Sequence, residues 1–413
     1  MVLTLEKELL DEKQRAFEFK FPFLILRSRK VTELFTWAAR RKFLGPLGWV
    51  MVALLPIFSA IGIFLILNAV SSILISPEVR EAGRQMGAQA YLLIPGINPY
   101  LPIAYGWIGI VVAIVVHEFS HGILASRLGF RVKSSGILLL LGIPIGAFVE
   151  IDELQLKEAS PKKSVRVLAA GPGANVSVAL ACLLALLVLV SGLSPSIDGL
   201  YVSKVEEGMP AQRAGISEGD VIISVNEEQA FTTDVLRQAM ESLPPDGMLV
   251  LELRRGEGWK DSLTVKLAPV ETPEGPRIGV SVAELRTTDL LEAYRRLAYS
   301  SPLLHFIPPT LGSAQGFVPF SDTLHIFYQH PMGPSYYYVA NFLFWLWFVN
   351  LNVGIFNALP IYPLDGGQAL MNSLRALAKG RLTEHVIKGI TGAISAALAM
   401  LVISMILLPF LIR

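Results

Sequence analysis

The sequence predicts a polytopic α-helical membrane protein of about five to six spans, with a membrane-embedded β-hairpin and an inserted α+β domain. Three observations predict this class. Of the 413 residues, 53% are hydrophobic and only 17% are charged, whereas an average soluble domain carries about 25% charged residues. Long apolar runs recur along the chain, and one stretch between them is charged and composed of short strand-like segments.

Five apolar segments reach the roughly 20 residues that a membrane-spanning helix needs. We place them at about 47–75, 104–126, 165–191, 336–359 and 384–411. Lysines and arginines are concentrated before the first span, between the second and third, and between the fourth and fifth, whereas the 77–103 loop has only Arg80 and Arg84. By the positive-inside rule the N-terminus is cytoplasmic, and the region between the third and fourth spans is extracytoplasmic.

The segment of residues 1–46 is charged and aromatic, with no apolar run long enough to cross a bilayer. The first hydrophobic segment begins too late for a cleavable signal peptide. Within it, residues 31–43 combine apolar Leu34 and Trp37 with a basic end. This pattern is typical of an interfacial helix on an anionic leaflet, and an ordinary soluble amphipathic helix is the alternative.

The second span contains the run His117-Glu118-Phe119-Ser120-His121. Residues four apart lie on one face of a helix, so both imidazoles can reach a single Zn²⁺ with Glu118 beside it. This is the H-E-x-x-H arrangement of zinc proteases, in which the metal acidifies a water and the carboxylate takes its proton. Ionisable groups at transmembrane depth are costly unless they face partners or a wet cavity, so the run indicates a functional site.

A third metal ligand is expected from Asp365, which closes the fourth apolar stretch and precedes two glycines. A carboxylate oxygen completes the three-protein-ligand pattern of catalytic zinc. Asp365 as a helix cap at the membrane surface is the alternative, and Glu150 and Asp152 are competing ligands. The orientation of the chain places the remaining candidates on the external side, and these are His305, His325 and His330.

Residues 134–153 are apolar but interrupted by Gly136, Gly142, Pro144 and Gly146. Short runs of Ile, Leu and Val between glycines predict a strand hairpin that dips into the membrane beside the second span. Such backbone is tolerated there only where protein or water shields it. Its exposed edge could pair with an unwound substrate segment by strand addition. An interfacial re-entrant loop with no substrate role is the alternative.

The third span opens with small residues, Gly171 and Gly173, that let helices approach closely, and with Asn175, which can hydrogen-bond across a helix pair. The single cysteine, Cys182, excludes an intrachain disulfide and a cysteine-based zinc cluster. The 35 basic residues balance 34 acidic ones, so we expect no nucleic-acid partner.

Residues 198–283 are charged and strand-rich, with two short helices at PAQRAGI and TDVLRQAM. The stretch resembles a PDZ domain, above all in the A-x-x-A-G-I-x-x-G-D-x-I run from Ala211 to Ile222. The resemblance implies peptide binding by strand addition, beside the strand opened by Leu200 and the helix carrying Val235. The chain has no clear carboxylate-binding loop there, and a spacer or steric gate is the alternative. After it, residues 284–335 contain many prolines and one segment, LEAYRRLAYSSPLLHF, that suits an amphipathic helix.

The motifs occur together and in order: the H-E-x-x-H run, the run from Gly171 to Asn175, the PDZ-like insert, and NALPIYPLDG beginning at Asn357. Over residues 104–370 the chain resembles the site-2 protease family of intramembrane zinc metalloproteases. The resemblance implies that His117, His121 and Asp365 are zinc ligands and that Glu118 is the general base. It also implies that Asn175 and Asn357 hold the unwound substrate or the oxyanion.

The family resemblance implies hydrolysis of peptide bonds within transmembrane segments of membrane-protein substrates, that is, regulated intramembrane proteolysis. The PDZ-like domain would act as a substrate filter. We expect a multi-pass protein of the cell membrane, whose partners are transmembrane substrates, membrane lipid and a peptide at the extracytoplasmic PDZ-like domain. The expected regions are 1–46, the membrane core of 47–192, the PDZ-like domain of 198–283, the extracytoplasmic segment of 284–335, and the membrane core of 336–413.

Two other classes of protein share some of these features. A PDZ-bearing membrane receptor or scaffold would hold a structural zinc, which usually has four protein ligands, and the sequence offers three and a base. A metal transporter would show repeated halves with matching broken helices, and no such repeat is visible.

Overall fold

A computed structural model of the chain describes residues 17–28, 30–140, 143–152, 155, 159–244, 246–273 and 275–412. Two compact units divide the chain. The first contains residues 1–184 and 342–413, and the second contains residues 185–341. Both boundaries fall within long helices, so the second unit is an insertion between two apolar helices of the first.

The first unit begins with strands and continues with helices. Its elements before the insertion are β1 (Phe17–Lys20), β2 (Phe23–Ser28), α1 (Lys30–Ala39), α2 (Leu44–Ile75), α3 (Pro77–Met86), α4 (Ile103–Arg127), β3 (Val132–Leu140), β4 (Ile143–Ile151) and α5 (Pro161–Ser191). Helix α1 confirms the predicted helix of residues 31–43, and it ends at Ala39, four residues before the predicted limit.

The second unit mixes short strands and helices. Its elements are β5 (Ser194–Pro195), β6 (Gly199–Val205), α6 (Pro210–Arg213), β7 (Val221–Val225), β8 (Glu228–Gln229), α7 (Thr233–Glu241), β9 (Leu249–Arg255), β10 (Asp261–Leu267), β11 (Val270–Thr272), β12 (Gly275–Arg277), β13 (Val280–Leu285), α8 (Thr287–Ser300), α9 (Gly312–Gln315) and β14 (Tyr328–Gln329). The chain then returns to the first unit through α10 (Tyr336–Ala358), α11 (Asp365–Ala378) and α12 (Glu384–Leu411).

The predicted spans correspond to five helices, α2, α4, α5, α10 and α12, that are long and apolar enough to cross a membrane. The largest difference is at α5, which begins at Pro161 rather than near 165. Proline is favoured in the first turn of a helix, where its missing N–H would have no partner. The polar turn that follows Pro161 extends the helix beyond its apolar part, so hydropathy alone places the start too late.

A four-stranded antiparallel sheet in the first unit has the order β1-β2-β3-β4. The pair of β3 and β4 confirms the strand hairpin predicted for residues 134–153, while its depth in a membrane stays a prediction. The sequence interpretation missed β1 and β2. Phe17 and Phe19 alternate with Glu18 and Lys20, and this period of two was the signal that could have revealed β1.

Gly136 lets two strands and a ring meet in this sheet. A Cβ atom there would overlap the carbonyl oxygen of Leu26 on β2 and would lie 2.6 Å from the Phe148 ring on β4. The Phe148 ring therefore folds over Gly136 toward β2 rather than toward the open side of β4. Among the described residues β4 has no strand beyond it, so β4 is one edge of the sheet.

The second unit contains a six-stranded sheet in the order β10-β9-β7-β6-β13, with β8 paired to β7. Its core has fully buried Leu200, Ile222, Leu251 and Leu253, because one side chain in two points inward along each strand. Strands β6, β7, β9 and β10 and helices α6 and α7 confirm the secondary structure predicted for this stretch.

The sheet order does not leave the strand implied for peptide binding at an edge. Strand β6, which Leu200 and Tyr201 open, pairs with β7 on one side and with β13 on the other, so it has no free edge. In the described part of the chain, β13 is the edge strand on this side of the sheet, opposite β10. Glu284 on β13 accepts a hydrogen bond of 2.9 Å from the backbone N–H of Thr233, where α7 begins. The sequence could not show this, because β13 is remote from β6 in the chain.

Helix α8 confirms the amphipathic helix expected in 284–335 as far as Ser300, before the break at Pro302. A carboxylate fixes its start. Asp198 accepts hydrogen bonds from the hydroxyls of Thr287, at 2.7 Å, and Thr288, at 2.5 Å. Burial alone would raise the pKa of Asp198, but the hydrogen bonds from Thr288 and Thr287 outweigh it and lower the pKa below its ordinary value. A negative charge at this end also complements the helix dipole.

Candidate metal centre

His117 and His121 lie one turn apart on α4 and point to the same place. Their Nε2 atoms are 3.2 Å apart, and both side chains are buried. The ring planes are inclined at 77°, so the two nitrogens converge edge to face rather than by stacking. Helical spacing of four residues produces this convergence, as the sequence predicts.

Asp365 joins the histidines from the start of α11. Its Oδ2 atom lies 2.9 Å from His117 Nε2 and 3.2 Å from His121 Nε2. Among the described residues, these three form the group whose ligand atoms are close enough to hold one metal ion. The structure therefore brings together all three predicted ligands.

This donor set fits zinc. Zinc with N and O ligands at about 2.0–2.1 Å in tetrahedral geometry separates neighbouring ligand atoms by about 3.3 Å. The three distances of 2.9–3.2 Å are close to that value. Two imidazoles and one carboxylate also leave the fourth position open, which distinguishes catalytic from structural zinc sites.

A backbone carbonyl sets the orientation of His121. Its Nδ1 lies 2.7 Å from the carbonyl oxygen of Val167 on α5. A carbonyl can only accept, so Nδ1 carries the proton and Nε2 keeps its lone pair for a metal. Sequence interpretation missed Val167, because a backbone acceptor leaves no residue-type signal.

Gly171 on α5 provides the room for both imidazoles. A Cβ atom at this position would lie 2.5 Å from His121 Nε2 and 2.6 Å from His117 Nε2. The sequence predicted a close helix approach at Gly171. The structure shows that the atoms in contact with it are the ligand atoms themselves.

Glu118 lies beside the ligand group and next to the sheet. The backbone N–H of Val149 on β4 donates a hydrogen bond of 3.2 Å to Glu118 Oε2. This bond also shows that the outward-facing N–H of Val149 is at the edge of the sheet. The carboxylate therefore contacts β4 directly, from the turn of α4 that carries both histidines.

The two predicted asparagines occupy different environments. Asn175 on α5 is fully buried, and neither atom of its amide has a hydrogen-bond partner among the described residues. Asn357 near the end of α10 donates from Nδ2 to the carbonyl oxygen of Val353, one turn earlier at 3.0 Å. Buried amide groups without a partner are costly and rare, so Asn175 is the more unusual of the two.

The competing ligands have other partners. Glu150 accepts a hydrogen bond of 2.8 Å from Ser134, and Asp152 pairs with Lys133 at 3.1 Å. In the second unit, His305 Nε2 lies 2.9 Å from a backbone carbonyl, and the His325 ring stacks on an aromatic neighbour. None of them belongs to the ligand group found among the described residues.

Most of the chain matches the model of one protein family. The model of peptidase family M50 matches residues 105–402, which includes the H-E-x-x-H run and Asp365. The chain belongs to peptidase family M50. The predicted membership of the site-2 protease family is therefore confirmed, and the protein is a site-2-type membrane zinc metalloprotease.

Similar proteins occur in archaea, bacteria and plants. An uncharacterized protein of Methanocaldococcus jannaschii is 27% identical over 81% of this chain and 73% of its own length. A Clostridium perfringens protein named as a candidate zinc metalloprotease is 25% identical over 67% of this chain and 89% of its own. An Arabidopsis thaliana chloroplast protein named as a candidate membrane metalloprotease is 26% identical over 65% of this chain and 70% of its own.

Proposed function

We propose that the M50 protease hydrolyses peptide bonds within transmembrane segments of membrane-protein substrates, in regulated intramembrane proteolysis. One observation carries the proposal: the ligand atoms of His117, His121 and Asp365 converge, and both histidines and Glu118 lie on α4, a helix whose length and composition suit a membrane. A hydrolytic site on such a helix acts on bonds that ordinary proteases cannot reach.

His117, His121 and Asp365 would hold the zinc ion. Bound there, zinc supplies a Lewis acid that polarises a carbonyl and acidifies water. The Val167 carbonyl holds the His121 ring in the tautomer that binds metal. Gly171 keeps the facing side of α5 clear of both rings.

Glu118 is the proton carrier of the proposed reaction. Its carboxylate accepts a proton from the attacking water and later donates that proton to the leaving amide nitrogen. The hydrogen bond from the Val149 N–H fixes one carboxylate oxygen, so the other is directed to the reacting atoms. The water adds to the carbonyl carbon and the C–N bond breaks, so no covalent enzyme intermediate forms.

The free edge of β4 is the proposed docking site of the substrate. An intact helix satisfies its own N–H and C=O groups, so a peptide bond within it must be unwound before attack. Strand addition to β4 would satisfy the groups that unwinding exposes. Since β4 contacts Glu118 through Val149, a strand docked there runs past the carboxylate.

Asn175 is the proposed partner of the unwound substrate or of the oxyanion. Its side chain is buried without a partner among the described residues, and a preorganised donor directed at developing charge is a large catalytic contribution. Asn357 would contribute less, because its amide N–H is engaged by its own helix.

The α+β sheet of the second unit is the proposed substrate filter. It carries the PDZ-like sequence, and the edge strand β13 beside α7 offers the place for strand addition. The positive-inside rule supports an extracytoplasmic position. A filter that admits substrates with shortened external parts predicts that deletion of 198–283 broadens substrate use, and total inactivity of a folded deletion variant would count against it.

The experiment uses purified protein in detergent, a helical model substrate and the variant Glu118→Gln. We expect the variant to retain zinc and to lose cleavage by about 10²–10⁴-fold, because the proton carrier is removed while the ligands stay. Equal product from both proteins would remove Glu118 from the mechanism. The receptor or scaffold alternative predicts no cleavage by either protein.

A further inference from the structure

A groove of about 430 Å³ lies on one face of the sheet in the first unit. Ile25, Leu138 and Gly146 form its floor, one residue from each of β2, β3 and β4, and they are direct neighbours in register. Because Gly146 has no side chain, this row of the sheet is open toward the free edge of β4. The volume is within the range of sites that bind small ligands.

The next row of paired residues across β2, β3 and β4 is covered by a side chain, which forms one wall of the groove. There Phe148 folds its ring over Gly136, and the guanidinium of Arg27 lies 5.4 Å from the centre of that ring. The ring is an apolar surface at the side of the groove. The contrast between the two rows shows that the opening at Gly146 is a local feature and not a general property of the sheet.

The charged groups at this end of the groove are paired with one another. Arg27 lies 3.3 Å from Glu18 and 3.6 Å from Glu150. Glu150 in addition accepts the hydrogen bond from Ser134. With these charges compensated, the groove offers an incoming side chain mainly apolar contacts.

The groove and Glu118 both contact β4. Val149, which binds Glu118, is three residues from Gly146, a distance of about 10 Å along an extended strand. Side chains of a strand paired to β4 alternate between the two faces. A residue opposite Gly146 on the groove face can therefore extend over the glycine onto Leu138.

We propose that this groove is a substrate subsite that takes a large apolar side chain three residues to one side of the peptide bond presented to Glu118. The proposal rests on the proposed function and adds a specificity determinant to it. Gly146 leaves the subsite open toward the edge of β4, and the incoming side chain contacts Leu138 on the floor. Large apolar residues such as Leu or Phe fit it, and Asp, Lys and Gly do not.

The test varies side-chain size in the substrate and at position 146 of the enzyme. Helical model substrates carry Leu or Ala at each position within four residues of the mapped cleavage site. At one position, three residues from the cleaved bond, wild-type protein should cleave the Leu substrate at least about 10-fold faster than the Ala substrate. Gly146→Leu should abolish that preference and still cleave the Ala substrate, because the new side chain fills the groove.

The variant is compatible with the fold. Among the described residues, a Cβ atom at Gly146 would meet Leu138 alone, at 3.6 and 3.9 Å, which are ordinary contacts. Leu138→Ala deepens the groove and should shift the preference from Leu toward Phe. Ile137→Ala changes the opposite face of the same strand and should leave the preference unchanged.

A binding measurement separates this proposal from the proposed function. In Glu118→Gln, a photoreactive apolar residue at the third position should crosslink to β3 or β4 near Leu138, and Gly146→Leu should suppress that crosslink. Cleavage that depends on Glu118 but is indifferent to residue size at the third position would overturn the subsite alone. Equal loss of both substrates in folded Gly146→Leu would overturn it as well. Absence of any cleavage by wild-type protein would overturn both proposals.

Discussion

Gly171 offers the sharpest test of the metal centre, because substitution there changes no ligand. In Gly171→Ala the new Cβ would lie 2.5 Å from His121 Nε2 and 2.6 Å from His117 Nε2. Favourable contacts between such atoms begin near 3.5 Å, so the rings or α5 must move by about 1 Å. Either the two nitrogens leave the positions at which they converge with Asp365, or α5 shifts and carries the Val167 carbonyl away from His121 Nδ1.

The expected losses follow from that displacement. A shift of about 1 Å at a catalytic group can reduce the rate about 10²-fold, equivalent to about 2.7 kcal/mol. Misoriented ligands lower metal affinity by about 10–100-fold. We expect Gly171→Ala to lose zinc to a competing chelator at lower chelator concentration than wild type, and to cleave the model substrate about 10²-fold more slowly.

Gly173→Ala is the matched control. It lies on the same helix, so it gains the same helix propensity. Its Cβ would meet Met51 Cγ at 2.6 Å, but a methionine side chain has three rotatable bonds and can move aside. Wild-type zinc affinity and cleavage in Gly171→Ala would refute the contact between Gly171 and the imidazoles as a requirement of the site.

Three further predictions concern other parts of the chain. Asn175→Ala should lower the cleavage rate by about 10²-fold or more without lowering the melting temperature appreciably, since no hydrogen bond among the described residues is lost. Asn357→Ala should lower the cleavage rate less, and equal losses of rate would argue against a special role of Asn175. Asp198→Asn should destabilise the protein by about 1 kcal/mol at neutral pH. Because the folded pKa of Asp198 is lowered, this contribution is fully present above the ordinary aspartate pKa of about 3.9 and is lost as the pH falls through the folded value, so melting curves of wild type and variant should converge in acid. Gly136→Ala should destabilise the protein by about 1–3 kcal/mol through overpacking, whereas Gly146→Ala should leave the melting temperature nearly unchanged, and equal shifts would contradict the contacts assigned to Gly136.

The sequence predicted the local features of this molecule well. Each of the five helices that could span a membrane is an apolar run of about 20 residues or more, a signal that needs no tertiary information. The convergence of His117 and His121 follows from helical spacing alone. Asp365 was predictable from chemistry, because a carboxylate at the end of an apolar stretch needs a reason to be there.

The features that the sequence could not predict depend on pairings between distant segments. Strand β2 lies beside β3 although more than 100 residues separate them in the chain. Neither segment has a sequence feature that indicates which strand it pairs with. The hydrogen bond from Val149 to Glu118 depends on the register of β4. The same limit explains why β6 rather than β13 was expected to be the open edge of the second sheet.

The N-terminal strands give the sheet of the first unit two unequal ends. Without β1 and β2, the hairpin would present two edges of nine residues each, one beside Glu118 and one far from it, and an unfolded segment could attach to either. With them, the distant end is the four-residue strand β1, and short strands attract fewer partners. In the proposed docking of the substrate, β1 and β2 therefore leave the edge beside Glu118 as the longer one, so an unwound segment would pair preferentially where it can be hydrolysed.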